Sequence, residues 1–151
     1  MNQRIVKFLA ASMAVFSLMF APLLHAASSS AQDTDPIKVV YHITDNTRAS
    51  SLLKNVQNHL EAAPGTKIAV VAHGKGIDFM LNNAQDANGN PYNVMMETLA
   101  QQGVQFKICN NTLKSRNLTA ADVAYPVTIV PAGIAEIARL QAKEGYVYVK
   151  P

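Results

Sequence analysis

Tryptophan is absent from the 151-residue chain, cysteine occurs once, and charged residues reach only 15%. A lone thiol cannot close an intramolecular disulfide, so Cys109 is buried and inert, paired with another molecule, or chemically used. Of the thirteen Lys and Arg, Arg4 and Lys7 stand at the N-terminus; the other eleven face ten Asp and Glu, and neither sign forms a run. That balance removes the electrostatic case for nucleic acid or an anionic membrane as partner. His73-Gly74-Lys75-Gly76 offers glycines and a lysine, but neither Walker nor G-x-G-x-x-G spacing, and reads as a tight turn. No nucleophile elbow or Ser-His-Asp arrangement occurs either.

What is present is 49% hydrophobic sequence with Leu, Ile and Val throughout, enough for one compact domain with a core. Residues 1–7 carry the two N-terminal cations, residues 8–20 are apolar with two serines, and Pro22-Leu23-Leu24-His25-Ala26-Ala27 ends in small residues. This pattern predicts a secretory signal peptide over residues 1–27, cleaved after Ala26 or Ala27. The apolar run falls short of the roughly 20 residues a membrane span needs, so no membrane association is expected after cleavage. The mature protein is expected in a periplasm, with a polar tether over 28–36 and a folded domain over 37–151.

Within that domain residues 37–42 read as a strand, and Asp45 or Asn46 caps a helix carrying Ala49, Leu52, Leu53, Val56 and Leu60 at helical spacing. Residues 67–72 form a strand whose apolar stretch is continuous, as in strands covered on both faces. A short helix is expected over 77–81. Asn90 as cap and Pro91 at the first helical position then introduce a helix through Val94, Met95 and Leu99. Residues 104–109 alternate, placing Val104, Phe106 and Ile108 on one face and Gln105, Lys107 and Cys109 on the other. Asn110-Asn111-Thr112 supplies caps for a short helix, and Thr119 with Asp122 makes a capping pair. A strand over 127–130, a helix over 134–142 with Ile134, Ile137 and Ala138 on one side, a Gly145 stop and a strand over 146–149 complete the pattern. Repeated β-α units predict an α/β three-layer sandwich around a five-stranded, mostly parallel sheet.

Parallel sheets bind ligands beyond the carboxyl ends of their strands, at a switch in strand order. His42, His73 and Cys109 occupy three such ends. In a flavodoxin-like order, with the first strand between the second and third, these ends would be neighbours. Cys109 also precedes an Asn-capped helix start, where backbone N–H groups favour a thiolate able to hold sulfane sulfur as a persulfide. His42 and His73 could orient or protonate a ligand. With Cys109 they could instead form a soft-metal site, although their separations match no local metal motif, and none is assigned.

Phe106-Lys107-Ile108-Cys109-Asn110-Asn111-Thr112-Leu113-Lys114-Ser115-Arg116, preceded by Gly103-Val104 and followed by Val127-Thr128-Ile129-Val130-Pro131-Ala132-Gly133, resembles the DsrE/DsrF-like family. The likeness extends over residues 37–150 and includes Ala72-His73-Gly74. It implies a flavodoxin-like (DsrE-like) parallel sheet and assembly into trimers or hexamers. In the sulfur-relay branch of the family it also implies a persulfide-carrying cysteine, whose position Cys109 occupies. The expectation is therefore an exported homotrimer or homohexamer that binds or relays sulfane sulfur on Cys109. His42, His73 and Asn110 would shape the pocket, the partner would be a small sulfur compound or a donor or acceptor protein, and no organic cofactor would be needed. Whether that amounts to sulfurtransferase-like catalysis is open. The alternatives are a non-enzymatic module for a small ligand or soft metal, and a structural homo-oligomer with an inert thiol.

Overall fold

A computed structural model describes residues 35–151. The export signal and most of the tether fall on residues 1–34, outside the described residues. The elements in chain order are β1 (Lys38–Ile43), a 3-10 turn (Asn46–Arg48), α1 (Ala49–Ala62), β2 (Lys67–Ala72) and a 3-10 run (Gly74–Met80). Then come α2 (Tyr92–Gln101), β3 (Gln105–Cys109), α3 (Asn110–Ser115), a second 3-10 turn (Ala120–Asp122), β4 (Thr128–Val130), α4 (Gly133–Glu144) and β5 (Val147–Val149).

The five strands lie in the order β4-β3-β2-β1-β5, and every pairing is parallel. Strand alternation sorts the side chains between two cores. Val39, Tyr41 and Ile43 of β1, Ile68 and Val70 of β2, and Phe106 and Ile108 of β3 enter the larger one. There they meet α1 through Leu52, Leu53 and Val56, α2 through Met96 and Leu99, the 3-10 run through Phe79 and α3 through Leu113. Val40, Ala69 and Val71 face the other way, onto Ile137 and Leu140 of α4 and onto Tyr146. The α/β three-layer class is as expected, but the layers are unequal, since α4 alone packs on the second face.

The strand order differs from the one that would have joined the three ends. β2, not β1, is the middle strand, because β1 to β4 step across the sheet in sequence and α4 then returns the chain to pair β5 with β1. The ends that carry His42, His73 and Cys109 are adjacent all the same, through sequential neighbours and not through a switch in order.

Local chemistry explains several boundaries. Asp45 caps the first 3-10 turn by accepting from Thr47 N–H, the Thr119–Asp122 capping box forms, and Gly145 ends α4 at φ 74° in the left-handed region. Pro91 lies one residue outside α2 at φ −66° and ψ 129°, with Tyr92 opening the helix in place of proline. The expected helix over 77–81 is a 3-10 run that begins at Gly74. Its tightness follows from Gly76, where a Cβ would stand 2.5 Å from the Ile43 carbonyl oxygen. On α4 the inward residues are Gly133, Glu136, Ile137 and Leu140, so Ile134, expected on the buried side, is 58% exposed.

Candidate functional site

Cys109 closes β3 and takes the position just before α3. The sequence pattern places Asn110 at the cap, whereas Asn110 is the first helical residue and half-buried. The residue standing where a cap belongs is therefore the cysteine itself. An N-cap side chain accepts from the N–H groups two and three residues on, here Asn111 and Thr112. The thiol makes no capping hydrogen bond as it stands, being a weak acceptor. These donors favour its ionised form instead. Burial opposes ionisation of Cys109, but the backbone N–H groups of Gly133, Thr112 and Asn111 together with the Thr112 hydroxyl outweigh it, and the pKa falls below the usual thiol value.

Gly133 matters for space as well as for its N–H. A Cβ there would lie 3.3 Å from the Cβ of Cys109 and 3.3 Å from the Cβ of His73. His73 directly follows β2, and the β2–β3 register pairs Ala72 with Ile108, so His73 and Cys109 are side by side at the next step. Both are on the α4 face. Phe106 and Ile108 alternate into the larger core, while Lys107 reaches Glu136 of α4 at 2.8 Å.

His42 completes the group from β1. Its Nε2 lies 2.7 Å from His73 Nε2, and its Nδ1 lies 2.7 Å from the hydroxyl of Tyr148 on β5. The two imidazole planes differ by 27° with centroids 4.7 Å apart, a near-parallel stacked pair. His42 is 9% exposed. Burial, followed by repulsion from His73 and Lys150, pushes its pKa down to about 4, and burial lowers that of His73 as well. Both rings are therefore neutral at pH 7. At 2.7 Å the facing nitrogens share a proton and leave no room for a metal ion between them, which weighs against the soft-metal alternative in this arrangement. Among the described residues no cluster of three or more His, Cys, Asp or Glu is gathered as a metal site.

Two clefts adjoin this group. One of about 260 Å³ is lined by His42, Thr44, Asp45, Arg48 and Lys150. The other, about 640 Å³, is lined by Gly74, Lys75, Asp78, Thr112 and Arg116, with Arg116 ion-paired to Asp78. A more apolar groove of about 500 Å³ follows α1 and α2 on the far side of the sheet, with neither thiol nor imidazole in its lining, so the reactive chemistry is not there.

The structure thus brings together His42, His73 and Cys109 and sets Asn110 at the start of the adjoining helix. Sequence reasoning missed Tyr148, Gly133 and Thr112. Gly133 ends the Val-Pro-Ala-Gly stretch, and a glycine opening a helix is a signal that close approach is needed there. Tyr148 carried no such signal, because its role depends on β5 pairing with β1.

Comparison with known proteins bears on the family and the fold. The model of the DsrE/DsrF-like family matches residues 26–151. No curated protein matches. Among solved structures, the chain is similar to MTH1491, a protein of unknown function from Methanobacterium thermoautotrophicum. Identity is 30% and the TM-score 0.68, over 76% of this chain and 99% of that one. It is also similar in fold to the ychN protein from E. coli, at 15% identity and TM-score 0.58, over 78% of this chain and 99% of that one.

Proposed function

The chain belongs to the DsrE/DsrF-like family, a group generally related to sulfur relay, and we propose that it binds and relays sulfane sulfur as a persulfide on Cys109. The observation that supports this most is the seat of that thiol. A 6% exposed cysteine is surrounded by N–H donors that favour its ionised form, beside a neutral imidazole, at the carboxyl end of a strand. An inert core thiol needs no such donors.

In loading, the Cys109 thiolate attacks the sulfane sulfur of a donor. The new S–S bond forms as the donor's S–S bond breaks, and the remainder of the donor leaves with the electron pair. In unloading, an acceptor thiolate attacks the outer sulfur and Cys109 departs as a thiolate. Asn111, Thr112 and Gly133 would stabilise the charge at both ends of the cycle. The clefts beside His42, His73 and Cys109 offer approaches for a small donor or for the reactive segment of a partner protein.

Intact mass after exposure to thiosulfate, polysulfide or a small persulfide tests the reading. Wild type is expected to gain one or more sulfur atoms that a reductant removes, and Cys109→Ser none. Wild type that takes up no sulfur from any donor class sinks it. We further propose that the mature protein is periplasmic and a homotrimer or homohexamer. Ile134 on α4 and Val147 on β5 leave apolar surface exposed of the kind a self-interface covers. Intact mass of the expressed protein and sedimentation at micromolar concentration check these two statements, with a retained Met1 or a monomer as the respective contrary result.

A further inference from the structure

Thr112 belongs to two environments at once. Its hydroxyl and its backbone N–H are among the groups that hydrogen-bond Cys109, and its Oγ1 accepts from the Gly74 N–H at 3.1 Å. It also lines the cleft of about 640 Å³, together with Gly74, Lys75, Asp78, Ser115 and Arg116. That cleft therefore shares a wall with the thiol. The smaller cleft beside His42 does not, since none of the groups that hydrogen-bond Cys109 is in its lining.

Two elements supply the charges of the larger cleft. The 3-10 run brings Lys75 and Asp78, and Arg116 stands where the chain leaves α3. Arg116 is ion-paired with Asp78 through Nη1, which holds the guanidinium at the cleft and leaves its other N–H groups to donate. Lys75 is exposed and, among the described residues, enters no ion pair. Asp45, the carboxylate that feels Lys75, is committed to the Thr47 N–H. Two cations against one carboxylate leave the lining with a net positive charge.

We propose that Lys75 and Arg116 select an anionic sulfane donor for Cys109 by holding the oxyanion of its leaving group in this cleft. The inference rests on sulfur loading at Cys109 and names the class of donor. With thiosulfate, the Cys109 thiolate attacks the outer sulfur. A new S–S bond forms as the bond to the oxygen-bearing sulfur breaks, and sulfite leaves with the electron pair. A thiolate and a dianion become a persulfide anion and a dianion, so atoms and charge balance with no added oxidant or reductant. A thiolate repels such a donor. The N–H groups around Cys109 offset the charge on its own sulfur, and Lys75 and Arg116 offset the charge on the donor, which passes to the departing oxyanion. Lys75 and Arg116 would touch the donor, and Asp78 is a positioning residue that acts through Arg116.

The test compares alkylation of Cys109 by iodoacetate and by iodoacetamide, on the full purified chain at one pH and low salt. The two reagents form the same bond and differ in charge, so the ratio of their rates cancels the thiolate fraction and reports the charge met on approach. Lys75→Gln is expected to lower the iodoacetate to iodoacetamide ratio about fivefold, the upper end for a partly exposed charge, and Asp78→Asn to raise it by a similar factor. Sulfur uptake from thiosulfate, followed by intact mass, is expected to change in the same order. Added salt is expected to lower the ratio in wild type, because it screens an attraction. A wild-type ratio that rises with salt or ignores it overturns the assignment, and so does a ratio equal in all three proteins; the wild-type salt series decides even if a variant fails to fold. Sulfur uptake that ignores both variants removes the cleft from the reaction and leaves loading on Cys109 standing. A ratio that shifts as expected while no donor deposits sulfur on wild type removes the sulfur reading, and with it the donor class, and leaves an anion-selective cleft beside the thiol.

Discussion

Gly133 and Gly76 show how differently two glycines can be required. At Gly133 an added Cβ meets the Cβ atoms of Cys109 and His73 at 3.3 Å, side-chain carbons that can yield a little. At Gly76 it meets the Ile43 backbone, with the carbonyl oxygen at 2.5 Å and the carbonyl carbon at 2.7 Å, and backbone inside the sheet does not yield. Gly133→Ala is therefore expected to cost about 1 kcal/mol and Gly76→Ala about 3 kcal/mol, the two ends of the overpacking range. Urea denaturation measures both. Only Gly133→Ala is expected to slow alkylation of Cys109, because it alone displaces the thiol and the N–H that favours its ionisation. Equal slowing by the two variants would mean that the effect travels through general loosening of the fold.

At the scale of elements, α4 shows both what could be read in advance and what could not. Its existence, its Gly145 stop and its place after a strand follow from apolar spacing and a left-handed terminator. Its orientation did not follow, because counting Ile134, Ile137 and Ala138 as the inner side treats Glu136 as a surface residue. Glu136 is in fact 7% exposed and takes Lys107 at 2.8 Å and Arg139 at 2.8 and 2.9 Å. A buried carboxylate is recognisable only with its partner, and here the partner is on β3, in the polar half of that strand's alternation. The strand order was hidden for a similar reason, since β-α spacing constrains handedness and parallelism but not which edge β5 joins. Asn110 reads as a cap because Asn is a good one, yet the helix begins one residue earlier, at Asn110 itself, and Cys109, the last residue of the strand, takes the cap position. Glu136→Ala is expected to lower stability by about 3 kcal/mol, since it leaves Lys107 half-buried without its counter-charge. Lys107→Met together with Glu136→Leu, which removes the pair, is expected to recover much of that loss.

For the whole molecule, these groups set how stability depends on pH. His42 titrates near 4 when folded, against 6.5 ordinarily, and His73 is lowered too. Between those values the unfolded chain binds more protons than the folded one, so stability falls as pH drops from 6.5 toward 4. Hydrogen bonds from Arg139, and then the pairing with Lys107, overcome burial and hold Glu136 at about 2 against 4.5 ordinarily. Its contribution is intact above 4.5 and is lost as pH falls toward 2. Urea midpoints taken across this range are expected to decline in two successive windows, with His42→Gln flattening the upper and Glu136→Gln the lower. A single decline confined to pH below 4.5 in wild type would contradict the neutral His42 seen beside His73.

The seat of Cys109 draws on three stretches that are distant along the chain, at His73, at Asn111 with Thr112, and at Gly133. No local fragment contains all three. A chain caught with β4 and α4 undocked would own an ordinary thiol, indifferent to the donors that the finished protein meets. Reactivity is thus acquired only once all three stretches are docked, and the sulfur atom serves as a clock for folding. Pulse alkylation during refolding should find it gaining speed only as tertiary structure closes, whereas most cysteines lose theirs as they are buried.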